Sequence, residues 1–196
     1  MMYIKKLVLA VGLAITNANL VYAADEGLYG AEIPKDAVFI RWLGEADPSE
    51  REVFGFDFTG KVSGTGYVVI SATLLDDVAS GSYFTVVEDA QSEFKIIAEP
   101  QRSSVSKVNL ILLNGTHSVA RIVVAGGGPE VIGDVASGNA DLRAVNPVSI
   151  NLTVEASDRA TSFEVSLKRG QDLTFAVLND GISLVPTVIG AIIAEE

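Results

Sequence analysis

Cysteine is absent from all 196 residues. No disulfide, thiolate nucleophile or thiolate metal ligand is available, so packing alone must hold the fold. Histidine occurs once, at His117, which leaves one candidate for imidazole activation of a hydroxyl and none for an H-E-x-x-H metal motif. Tryptophan also occurs once, at Trp42. Basic residues are few: 14 Lys and Arg against 25 Asp and Glu give a net charge of −11. So acidic a chain disfavours nucleic acid, anionic lipid and any polyanionic polymer as direct ligands. Apolar runs of the roughly 20 residues that cross a bilayer are missing too. Hydrophobic residues are nevertheless 48% of the chain, which argues against disorder and leaves ample apolar surface to bury.

The N-terminus reads as an export signal. Lys5 and Lys6 precede an apolar run from Leu7 to Ile15, and Val21-Tyr22-Ala23 has small residues at the two positions a signal peptidase reads. Cleavage after Ala23 is expected, giving a soluble periplasmic protein with no direct membrane insertion. No cysteine follows the site, so lipid anchoring is not expected. Without Lys5 and Lys6 the net charge becomes −13.

Past residue 23, period-2 alternation dominates. Val148 to Glu155 is apolar and polar in strict turn; Phe163, Val165 and Leu167 alternate with Glu164, Ser166 and Lys168; Leu173, Phe175 and Val177 do the same. Such spacing puts each apolar set on one face of a strand, to be buried against a second sheet. Turn sequences punctuate the runs at Asn114-Gly115, Gly126 to Pro129, Ser157 to Arg159 and Asn179 to Gly181. The pattern predicts an all-β protein of two small β-sandwich domains joined by a short linker. The linker is placed at the polar, proline-bearing residues 100–106, between domains at 24–99 and 107–196, with 1–23 as signal peptide. The halves are loosely alike. Each opens on an apolar strand running into glycine (37–44 and 108–115) and closes on a glycine-led hairpin (from Gly81 and from Gly170).

Catalytic patterns do not emerge. His117 follows Asn114-Gly115-Thr116 in a hairpin turn, where a solvated surface histidine is expected. The G-x-S-x-G elbow and a Gly-Asp-Ser nucleophile motif are both absent. Asp76-Asp77 and Glu88-Asp89 are adjacent pairs, which in a strand point to opposite faces. Gly126-Gly127-Gly128 leads into Pro129, which has no N–H for an oxyanion, so it is no phosphate loop. No catalytic, cofactor-binding or metal-binding residue is assigned.

Two strands are apolar on both faces. Val38, Ile40 and Trp42 share one side of the first, with Phe39 and Leu43 flanking Arg41 on the other. Val108, Leu110 and Leu112 are backed by Ile111 and Leu113 in the second. One face of each fills its own core. The other either packs between the halves or receives a partner, and Phe39, Arg41 and Leu43 are the residues that would line such a docking face.

Two stretches resemble the AlgF family. Gly27-Leu28-Tyr29-Gly30 followed by Pro34 and a strand ending at Arg41 is similar to that family's opening; Asn146-Pro147-Val148 and the later Arg169-Gly170 are similar to its second half. Ala31 and Gly44 depart from the pattern. The resemblance implies a periplasmic, non-catalytic adaptor required for O-acetylation of the exopolysaccharide alginate. Its expected partners are the acetylation proteins of the periplasm and inner membrane. Alginate is a polyanion, so a chain of this charge is expected to avoid the bulk polymer and to act by protein–protein contact. The competing expectation is a carbohydrate- or ion-binding β-sandwich module, which needs exposed aromatics. Trp42 alternates with Val38 and Ile40 and is therefore expected in a core.

Overall fold

Alternation of this kind has to be resolved into sheets, and it is. The computed structural model describes residues 32–44, 46, 52–62, 64–88, 93–102, 106–157 and 159–193. The expected signal peptide at 1–23 lies outside them. The strands are β1 (Ala37–Leu43), β2 (Glu52–Val53), β3 (Phe56–Asp57), β4 (Tyr67–Ser71), β5 (Tyr83–Glu88), β6 (Phe94–Glu99), β7 (Val108–Asn114), β8 (Ala120–Val124), β9 (Glu130–Val135), β10 (Asn139–Val145), β11 (Ser149–Ala156), β12 (Arg159–Ser166), β13 (Asp172–Leu178), β14 (Gly181–Pro186) and β15 (Ile189–Ile193). A single 3-10 turn at Ala72–Leu74 is the other regular element among the described residues, and no helix among them is long and apolar enough to cross a membrane. All-β is the outcome, as the alternation predicts.

Three sheets stack. The first runs β15-β4-β1-β5-β6, the second β10-β7-β13-β14, the third β12-β11-β8-β9. Leu110, Leu112, Phe175 and Val177 of the second sheet meet Ile122, Leu152 and Val154 of the third in one core. On the far side of the first sheet, Val38, Ile40, Trp42 and Ile70 pack under Val53 and Phe58, around the small β2–β3 hairpin. Between the first and second sheets lies another layer: Leu43, Val87 and Ile97 against Leu113, Ala176 and Leu178. This layering explains strands apolar on both faces. The second sheet is sandwiched, and every residue of β7 is buried.

The loose likeness of the halves is a shared strand order. In the first half β1 pairs antiparallel with β4 and parallel with β5, and β5 pairs antiparallel with β6. In the second half β7 pairs antiparallel with β10 and parallel with β13, and β13 antiparallel with β14. What differs is the cover. The short β2–β3 hairpin stands where the second half has β8–β9, and the segment bearing the 3-10 turn stands where it has the β11–β12 hairpin. Residues 100–106 fall between β6 and β7. The last strand does not stay with residues 107–188: β15 crosses back and pairs in parallel with β4. Gly66 and Gly190 permit that approach, since a Cβ on Gly66 would lie 2.8 Å from the Gly190 nitrogen.

Candidate functional site

The seam between the first and second sheets holds Arg41 and Glu99, the buried charged side chains among the described residues. Arg41, on β1, projects into it with no exposed surface. Its Nε donates to Thr85 Oγ1 at 2.9 Å, and its Nη2 donates to Thr174 Oγ1 at 2.8 Å and to Glu99 Oε1 at 3.0 Å. Thr85 also donates to Glu99 Oε1. The Tyr67 hydroxyl reaches both Glu99 oxygens, at 2.8 and 2.9 Å. Arg102 closes the cluster, pairing with Glu99 Oε2 at 2.8 Å and with Asp172 at 3.2 Å. Asp172 in turn accepts from Asn109 Nδ2 at 2.7 Å. Aromatic rings complete the shell: the guanidinium carbon of Arg41 lies 4.5 Å from the Tyr67 ring centre, that of Arg102 4.1 Å from Tyr83, and Phe39 stacks on Tyr83 at 4.4 Å.

The strand repeat builds this cluster. In the parallel pairings, Arg41 stands opposite Thr85 and Ile111 stands opposite Thr174. Thr85 and Thr174 therefore hold equivalent places in the two halves, four residues after Gly81 and Gly170, and both bind one guanidinium. Tyr83 and Asp172 are the equivalents two residues earlier, and both hold Arg102. Two like sheets meet back to back, and the charge supplied by β1 and by the segment after β6 is divided between matching positions.

Electrostatically, the cluster is committed to its own partners. Burial alone would push the Glu99 carboxyl up; the guanidiniums of Arg41 and Arg102, with the Thr85 hydroxyl, outweigh it and hold the group below the usual carboxylate range. Burial, then the Glu99 charge, pushes the Tyr67 hydroxyl far above its ordinary value, so it stays a hydrogen-bond donor. Glu99 is thus an ionised, fully engaged carboxylate and a poor base. Arg41 Nη1 has no acceptor among the described residues, a cost the Tyr67 ring face partly offsets.

Of the expected docking residues, Arg41 and Leu43 are buried in this seam and Phe39 is half-buried against Tyr83. The face of β1 proposed to receive a partner carries the chain's own β7 and β13, because a second like sheet needs the same cover. Trp42 is core, 4% exposed and edge-on to Phe58. His117 is exposed in the β7–β8 turn, which Asn114 shapes by accepting from the Thr116 N–H at 3.0 Å. Residue spacing did not reveal Glu99 and Arg102, which read as the edge of a polar linker; the one clue was a lone arginine inside the apolar run of β1, which demands a buried counter-charge. Elsewhere, a depression of about 260 Å³ is lined by Val119, Arg121, Asp134, Glu155, Ala156 and Ser157. Arg121 is tied to Glu155 at 2.7 Å, so two acids face one base there. No group of three or more potential metal ligands occurs among the described residues.

A family model described as Alginate O-acetyl transferase AlgF matches residues 10–174. The alginate biosynthesis protein AlgF of Pseudomonas putida is 28% identical over 204 aligned residues, covering 93% of this chain and 92% of that protein. Its namesake in Pseudomonas aeruginosa is 28% identical, covering 91% and 90%. A solved structure of the C-terminal domain of AlgF from P. aeruginosa aligns at 25% identity with a TM-score of 0.35, over 41% of this chain and 94% of that one.

Proposed function

The chain belongs to the AlgF family, and from that membership we propose that it serves the O-acetylation of alginate as an exported, periplasmic adaptor that carries no acetyl group itself and acts by contacting the acetylation proteins. The family description names a transferase, whereas the relatives are named as biosynthesis proteins. The observation that carries the non-catalytic reading is the state of the groups a transferase would need. Acyl transfer through an oxygen nucleophile requires a base beside a hydroxyl, with room for the acyl group. His117 is exposed on a turn. Ser71 Oγ does meet a carboxylate, Asp36, at 2.6 Å, but that hydrogen bond holds Asp36 below its ordinary range, and Ser71 is buried as the cap of the 3-10 turn. Thr85 is buried against Glu99. Charge supports the same reading, since a surface of net −13 after export and a depression with two acids to one base both disfavour a polyuronate.

The test is genetic and chemical together. Deleting the gene should lower the acetyl content of the secreted polymer, and a His117→Ala copy should restore it fully. Failure of His117→Ala to restore acetylation, in a protein that melts normally, would return the enzyme reading. The exported protein, used as bait on solubilised envelope, should recover an acetylation protein by mass spectrometry.

A further inference from the structure

The shared strand order lets the two halves be compared residue by residue. With Thr85 and Thr174 equivalent, the ladders make Ala98, Ile96 and Phe94 of β6 the counterparts of Pro186, Leu184 and Ile182 of β14. Both sets face away from the seam, since their neighbours Ile97 and Val185 face into it. In the second half that outer face is covered: β12 lies against β14, and Ile182 and Leu184 join Phe163 at the margin of the core. In the first half the segment bearing the 3-10 turn replaces the β11–β12 hairpin, and the cover stops short. Ile96 is 42% exposed, Ala98 is exposed, and Phe84 and Phe94 are half-buried.

The surroundings are aromatic and acidic. Phe54, at the tip of the β2–β3 hairpin, has a φ of 51°, which a bulky side chain rarely adopts, and its ring lies 4.7 Å from that of Phe84. Backbone strain of this kind gathers at binding sites. Glu88 stands opposite Phe94 on the same face, and the Asp76 carboxylate lies beside Gly55, next to Phe54, with Asp77 after it. Lys61 stands over the Phe56 ring, while Lys95, the one base of β6, is turned to the other face beside Gly138. Three acids thus rim the patch against one base.

We propose that this outer face of β5 and β6, centred on Ile96 with Phe54, Phe84 and Phe94 around it, docks a β-hairpin of another envelope protein, one presenting alternating apolar residues flanked by Lys or Arg. The proposal deepens the adaptor reading and rests on it. The second half shows what fits such a face: a hairpin laid across it, with Phe163 and Val165 turned inward. The rim of acids selects a basic partner. It disfavours a second copy, which would bring the same acids to the same place. Addition of a strand to the edge of β6 is a poorer fit, since β10 lies alongside it and Pro100 follows it.

In cells that make the polymer, a photo-crosslinking residue in place of Ile96 should join the chain to a different protein on irradiation. Mass spectrometry of the joined peptide should show alternating apolar residues flanked by Lys or Arg. The same residue in place of Val148, 49% exposed just before β11, should give no such product. Ile96→Lys sets a like charge against that partner and should lower the acetyl content of the polymer severalfold. The purified variant should melt within about 2 °C of the parent, because an exposed position is changed. A crosslink confined to this chain or to a second copy, a joined segment without the pattern, or an equal yield at residue 148 would each overturn the proposal. So would full acetylation with Ile96→Lys, or a melting temperature that falls together with acetylation. None of these results touches the adaptor reading, which falls instead if the protein itself carries an acetyl group.

Discussion

Glu99→Gln keeps the shape of the side chain at the centre of the seam and removes its charge. Arg41 and Arg102 are then left buried without their shared counter-ion, while an amide NH₂ is pointed at groups that already donate: the Arg41 and Arg102 guanidiniums and the Tyr67 and Thr85 hydroxyls. Breaking a buried pair from one side costs about 3–5 kcal/mol. For a unit of this length each kcal/mol moves the melting temperature by about 2–4 °C, so a fall of roughly 6–20 °C is expected. Calorimetry at neutral pH reads it directly. The pH dependence supplies a second signature. Glu99 is held below its ordinary value of 4.5, so folding favours the ionised form. That contribution is complete above the ordinary value and is lost as the pH falls through the lower folded one. The parent should therefore lose stability over that acid window more steeply than Glu99→Gln, whose site cannot titrate. A variant melting within about 1 °C of the parent would refute the claim that this cluster ties the two sheets together, since even a single hydrogen bond to a charged group is worth about 1.5–3 kcal/mol.

Three further outcomes are expected, two from the geometry and one from the N-terminal sequence. Thr174→Val removes one of the two hydroxyls that accept from the Arg41 guanidinium and should cost about 1.5–3 kcal/mol by urea unfolding; a larger loss is expected from Thr85→Val, because the Thr85 hydroxyl also donates to Glu99. Gly66→Val should push β15 off β4, seen as faster amide exchange at residues 191–193, because the new side chain would occupy the place of the Gly190 backbone. Protein recovered from periplasm should begin at Ala24 by intact mass; full-length chain in the inner membrane would contradict the export assignment.

How much of this was legible in the sequence depends on the range of the interaction. Alternation in Val148 to Glu155 located β11 because period 2 is a local property of a strand with one face in a core. The turn at Asn114-Gly115 was legible for a similar reason, since an asparagine side chain caps its own next residues. Apolar residues on both faces of β1 and β7 announced a second cover, but not which surface provides it. That is decided by the meeting of residues 44 to 133 positions apart, as in the contacts of Arg41 with Thr85, Glu99 and Thr174. Glu99 and Arg102 looked like linker because polar spacing beside Pro100 is the same in a solvated loop and in a buried clamp. The return of β15 left no trace either: a short apolar segment pairs wherever an edge is free, and only the glycines at 66 and 190 mark the approach.

The central claim is that the chain assists acetylation without carrying the acetyl group. Its most direct test is to incubate the purified, folded protein with an activated acetyl ester, with and without alginate oligomers, and to follow both molecules by mass spectrometry. The account predicts no acetyl adduct on the protein and no acetylation of the oligomers above the rate in buffer. A discrete acetyl-protein species that forms quickly and disappears when oligomer is added, with acetylated oligomer in its place, would contradict it.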